Sequence, residues 1–162
     1  MSNEPRQPPS IDIRAASVAD LPSIFHLVRE LLRELGEEGE QAGEIDVAGV
    51  GNALQSGGQF FAAVAELEGE IVGVVTVVET VAIYANGRYG IINEMYVMPA
   101  HRSAGVGERL LASVKETART RGWSRVDVTA PEAARWTRTT RFYERNGFVF
   151  AGPKLRFPIE SQ

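Results

Sequence analysis

The run Ile71-Val72-Gly73-Val74-Val75-Thr76-Val77-Val78 constrains this chain more than any other segment. It is too uniformly apolar for a strand with one wet face, so it reads as a central strand covered on both sides. It continues to Tyr84. Before it, Phe60 to Leu67 forms a second strand, and Glu68-Gly69-Glu70 is the turn between them, which makes an antiparallel hairpin. Asn86-Gly87 marks the next turn, and Tyr89 to Met98 the next strand. A sheet of this kind needs a helical layer on each face.

The helices that could supply those layers are legible. Leu21, Ile24, Phe25, Val28, Leu31, Leu32 and Leu35 recur at helical spacing, Ser17 and Asp20 offer N-caps, Pro22 falls early, and Gly36 ends the run. Val47 to Leu54 reads as a second short helix. Val106 to Arg121 carries the stripe Val106, Leu110, Leu111, Val114 and Ala118, closed by Gly122. Ile11 to Arg14 and Arg125 to Thr129 read as strands, Thr137 to Arg145 as a helix, and Phe148 to Phe157 as a last strand bent near Gly152-Pro153. The expected fold is α/β of the α+β type, a mixed and mostly antiparallel sheet flanked by helices. Residues 1–10 read as a mobile tail, and 11–160 as one domain.

Composition narrows the function classes. The 162 residues carry a net charge of −4, which argues against a general nucleic-acid grip. There is no cysteine, so a disulfide framework, a thiolate metal site and a cysteine nucleophile are excluded. The two histidines, His26 and His101, lie far apart, and no metal is expected. No apolar run reaches the length of a membrane span, and the first residues lack the core of a signal peptide. The expectation is a cytoplasmic protein with no membrane partner.

Val97-Met98-Pro99-Ala100-His101-Arg102-Ser103-Ala104-Gly105-Val106-Gly107 joins a strand to an amphipathic helix. The first turn of a helix leaves N–H groups unpaired and carries partial positive charge. Glycines allow close backbone approach, and Arg102 adds a permanent cation. Such a junction can cradle a pyrophosphate. An ordinary strand–turn–helix junction satisfies the same spacing. There is no Gly-Lys-Ser/Thr, and no third glycine of a dinucleotide fingerprint.

Arg102, Gly105 and Gly107, led by Val97 and Pro99, resemble motif A of the GNAT superfamily, Arg/Gln-x-x-Gly-x-Gly/Ala. Phe142-Tyr143-Glu144-Arg145-Asn146-Gly147-Phe148 is similar to that family's Phe-Tyr-x-x-x-Gly-Phe motif, and Ile13 to Leu21 to its usual opening. The resemblance spans Ile11 to Phe157. It implies the GNAT acyl-CoA N-acyltransferase fold, with strands Tyr89–Met98 and Arg125–Thr129 splayed in a V. It implies acetyl-CoA as co-substrate, its pantetheine on the backbone of Tyr96, Val97 and Met98. Its pyrophosphate would meet the amides of Arg102, Ser103, Ala104, Gly105, Val106, Gly107 and Glu108. Ser103 and Ala104 stand where many members carry glycine and a basic residue. Trp136 stands where many carry an asparagine.

Acetyl transfer from a thioester to an amine needs a neutral amine, a stabilised oxyanion and a protonated leaving thiolate. By the resemblance, Tyr143 sits beside the sulfur as the acid and also touches the cofactor. Glu94 is the candidate base, directly or through water, because a carboxylate within an apolar strand is costly to bury and needs a reason. Strand alternation puts Ile92, Glu94 and Tyr96 on one face. A surface or arginine-paired glutamate satisfies the same pattern. The acidic run Glu37, Glu38, Glu40 and Glu44 walls the acceptor side by the same resemblance, and would steer a cationic small-molecule or peptide amine if it is more than a solvated loop. The alternative is a CoA-binding regulatory or pseudoenzyme domain without turnover. A homodimer follows from family habit alone.

Overall fold

Nine strands and α-helices form among the described residues, and turn chemistry sets most of their ends. In chain order they are β1 (Asp12–Ala15), α1 (Leu21–Leu35), α2 (Val47–Gln55), β2 (Phe60–Leu67), β3 (Glu70–Ala82), β4 (Gly87–Val97), α3 (Val106–Arg121), β5 (Val126–Val128) and α4 (Thr137–Arg145). The structure is a computed structural model and describes residues 10–36, 46–129 and 136–152. The acidic run Glu37 to Glu44, the tail before Ser10 and the segment beyond Gly152 lie outside the described residues.

The sheet order is β1-β2-β3-β4-β5. The β1–β2, β2–β3 and β3–β4 pairs are antiparallel. β5 joins the start of β4: Ser124 N–H donates to the Arg88 carbonyl at 2.9 Å and Gly90 N–H to that of Arg125 at 3.1 Å. Both partners advance together, which is the parallel sense a strand–helix–strand crossover through α3 requires. β3 is central, and Val72, Val74 and Val75 are almost fully buried, as a strand covered on both faces must be.

One covering layer is α1. Leu21, Ile24 and Leu27 pack with Val64, Val74 and Tyr96. The other is α3, whose Leu110 lies over Gly73. Asp20 does more than begin α1. Its carboxylate accepts from Nη1 and Nη2 of Arg14, both at 2.8 Å, and from the N–H and hydroxyl of Ser17 at 2.7 and 2.9 Å. The helix start is thereby pinned to β1, and the Arg14 guanidinium holds the Asp20 carboxyl far below the usual carboxylate range.

The chain divides into two compact units, Met1–Asp127 and Val128–Gln162. The second contains α4. There Tyr143 is buried and makes edge contacts with Phe142 and Phe148, with ring centroids 5.3 Å apart in each case. Residues 148–152 form no strand, so the expected last strand does not begin at Phe148; its remainder lies outside the described residues.

Candidate active site

The ladder between β3 and β4 breaks at one place. Val75 pairs with Met95 but Val77 pairs with Ile92, so Asn93 and Glu94 together oppose Thr76. This extra residue is a β-bulge, and it reverses the side-chain alternation beyond it. Tyr96 faces α1, with its partner Val74. Ile92 is partnered with Val77, two residues on from Val75 and four from Gly73, which faces α3. The expectation that Ile92, Glu94 and Tyr96 share a face therefore fails for Ile92. One inserted residue changes the period, and alternation in β4 alone does not reveal it.

The bulge has a side-chain lock. The buried Thr76 hydroxyl accepts from Glu94 N–H at 3.1 Å and donates to Glu94 Oε2. Glu94 is half-buried, held by a neutral hydroxyl, while Asn93 is exposed. Among the described residues no arginine is paired with Glu94.

β4 ends in an open backbone edge. Met98 N–H donates to the Val72 carbonyl at 2.9 Å, so the groups of Met98 point toward β3. Strand geometry then turns the N–H and C=O of Val97 to the other edge. There the Val97 carbonyl accepts from Arg102 Nε at 2.8 Å. Arg102 also ion-pairs with Glu34 Oε1 at 2.8 Å and lies 5.1 Å above the Tyr96 ring. Tyr96 donates its hydroxyl to the same Glu34 oxygen at 3.0 Å, and burial, with Glu34, pushes its phenol up to about 12. The Arg102 guanidinium is thus turned to Glu34 and Val97. Sequence reading missed Glu34 and Thr76, because neither carries a local signal.

After Arg102 the loop stays open. Ser103 and Ala104 are exposed, Ser103 has φ 64, and Gly105 has φ 78. Alternation of this kind makes a concave set of N–H groups suited to an anion. Gly105 is the N-cap of α3 and supplies no side-chain cap to the first-turn amides of Val106, Gly107 and Glu108. Arg109 is engaged elsewhere, donating to the Ile11 carbonyl. Tyr96, Val97, Met98 and the 102–108 segment are thus brought together at the end of β4, with Glu94 on the same strand. Tyr143 belongs to the second unit, where burial pushes its phenol up to about 12. Trp136 is the N-cap residue of α4.

The model of the acetyltransferase (GNAT) domain family matches residues 56–150, more than half of the chain. The chain belongs to the GNAT acetyltransferase family. No curated protein matches the sequence. Among solved structures, this GNAT chain is similar to a transcriptional regulator from Bacillus halodurans C-125, with TM-score 0.78, 24% identity, and 93% of this chain and 100% of that chain covered. An aminoglycoside acetyltransferase from an uncultured soil metagenomic sample gives TM-score 0.78 and 22% identity over 93% and 99% of the two chains. AAC(6')-Iy, an aminoglycoside N-acetyltransferase solved in complex with CoA, gives 0.77 and 17% over 98% and 100%. At these identities the likeness carries the fold, and the fold is the GNAT fold. No helix among the described residues is long and apolar enough to cross a membrane.

Proposed function

We propose that this GNAT chain moves the acetyl group of acetyl-CoA to a primary amine by direct attack. Glu94 takes the amine proton, directly or through a water, and Tyr143 donates to the departing CoA sulfur. The observation that carries the reading is the bulge at Asn93–Glu94. It sets a carboxylate, steadied by Thr76, on the strand that runs into the Gly105 helix start. The amides of Arg102, Ser103, Ala104, Gly105, Val106, Gly107 and Glu108 receive the pyrophosphate, and the free edge at Val97, between Tyr96 and Met98, receives the pantetheine. The cofactor role of Arg102 falls to its backbone, since its side chain serves Glu34 and Val97. The domain runs over 11–160.

Tyr143 acts as a hydrogen-bond donor more than as a full acid. A phenol near 12 gives its proton uphill to a thiolate whose conjugate acid lies near about 8.5. It therefore stays protonated through neutral pH and stabilises the developing charge as a donor. For the acceptor we favour a small cationic amine. AAC(6')-Iy is also known bound to a CoA-acetylneamine bisubstrate analogue, and another fold neighbour to sisomicin. The acidic run Glu37, Glu38, Glu40 and Glu44 gives this chain a means of attracting such a cation.

The test is a screen of acyl-CoA donors against a panel of amines, followed by mass spectrometry. The expected product is an amine heavier by one acetyl group. Glu94→Gln and Tyr143→Phe should each lower kcat by about a hundredfold, the lower range for acid–base groups. Full kcat in both variants across pH removes these roles. Tight CoA binding with no turnover on any amine selects the regulatory alternative.

A further inference from the structure

Glu34 lies in the last turn of α1, 62 residues before Tyr96 and 68 before Arg102, yet its Oε1 accepts from both. Arg102 spends its remaining direction on the Val97 carbonyl and stacks on the Tyr96 ring. The four residues tie α1 to the end of β4 and to the first residue of the open loop. The guanidinium is about one-third exposed, as is Glu34, so neither is locked by packing alone. An arginine on such a surface samples many rotamers unless its donors are engaged. One and three residues on, the backbone must hold Ser103 and Gly105 at positive φ, a conformation that costs free energy at Ser103.

We propose that Glu34 is a positioning residue for coenzyme binding: it holds Arg102 against the Val97 carbonyl and so fixes the path from β4 into the loop that opens α3. The inference rests on that loop being the pyrophosphate site. Glu34 touches no reacting atom, so its effect falls on affinity and leaves the chemical step alone. With Glu34 gone, Arg102 keeps one backbone acceptor and one ring, and the loop is ordered only when the coenzyme arrives. Ordering at that moment is subtracted from affinity. A charge-assisted pair at this exposure justifies a modest loss, between about three- and tenfold.

The experiment measures CoA affinity by calorimetry on the full chain. The proteins are the wild type, Glu34→Ala, Glu34→Gln, Arg102→Ala and the Glu34→Ala/Arg102→Ala double variant, each with a melting curve. KM for acetyl-CoA and kcat are taken with the acceptor found in the amine screen. Glu34→Ala should raise Kd and KM by about three- to tenfold with kcat unchanged. Glu34→Gln, which keeps an acceptor oxygen, should lose less. The double variant should bind no worse than Arg102→Ala, because the two residues act as one clamp. Wild-type affinity in Glu34→Ala overturns the role of Glu34 and leaves the loop reading standing. Losses that multiply in the double variant overturn it as well. A wild type with no affinity for CoA overturns both.

Discussion

The carboxylate of Glu79 is buried between Arg121, whose Nε donates at 2.8 Å, and the Trp123 indole N–H. These two donors outweigh burial and hold the carboxyl below its ordinary value of 4.5. A carboxylate held low in the folded state binds fewer protons there than in the unfolded chain. Its stabilisation is therefore complete above 4.5 and is lost as pH falls through the lower folded value. Glu79→Gln should cost about 1–3 kcal/mol at pH 7, the range for a broken buried hydrogen bond to a charge. Its deficit should shrink in acid below pH 4.5. Urea unfolding at pH 7 and pH 3.5 checks this, and a deficit that does not change with pH contradicts it. Such residues are hard to read in advance. Glu79 and Glu94 are both glutamates in apolar strands, and only their partners separate a structural anchor from a candidate base. Glu79 meets an arginine and an indole, and Glu94 a hydroxyl.

Elements depend on close approaches that a pattern of apolar residues does not record. Gly90 in β4 is buried because Trp123, just past α3, lies across it; a Cβ there would sit 2.3 Å from Trp123 Cζ3. The indole would have to leave the strand, and with it the hydrogen bond to Glu79. Gly90→Ala should therefore destabilise by about 1–3 kcal/mol, the usual cost of overpacking. The change is read as a drop in the urea midpoint at constant m, and a change under about 0.5 kcal/mol would refute the argument. In Glu79→Gln the glycine variant should cost less, since the two act through one ring. By contrast α3 was legible from its stripe and its glycine ends, because both are local. Its bounds, Val106 to Arg121, are those expected. β5 proved shorter than expected, three residues in place of five, since strand length is set by the partner strand.

For the whole molecule, the proposed coenzyme binding is linked to stability. A ligand held only by the folded chain adds about 2.7 kcal/mol at a hundredfold excess over Kd. At this chain length each kcal/mol moves Tm by about 2–4 °C, so CoA should raise Tm by about 5–10 °C. ATP at the same concentration should raise it less, because the edge at Val97 proposed for pantetheine would go unused. Equal shifts would point to a general nucleotide site. The central strand, its hairpin, α1, α3 and the loop with Arg102, Gly105 and Gly107 were determined by the sequence alone. Each follows from contacts and turn geometry within a few residues, and the motif spacing in that loop pointed to the family. Three things were decided only by the tertiary structure: the bulge that Thr76 locks, the Glu34–Arg102–Tyr96 cluster, and the indole over Gly90. They join residues 18 to 68 positions apart. No local preference favours such pairs, and they form only where strand register and helix packing, settled together, bring the partners within reach.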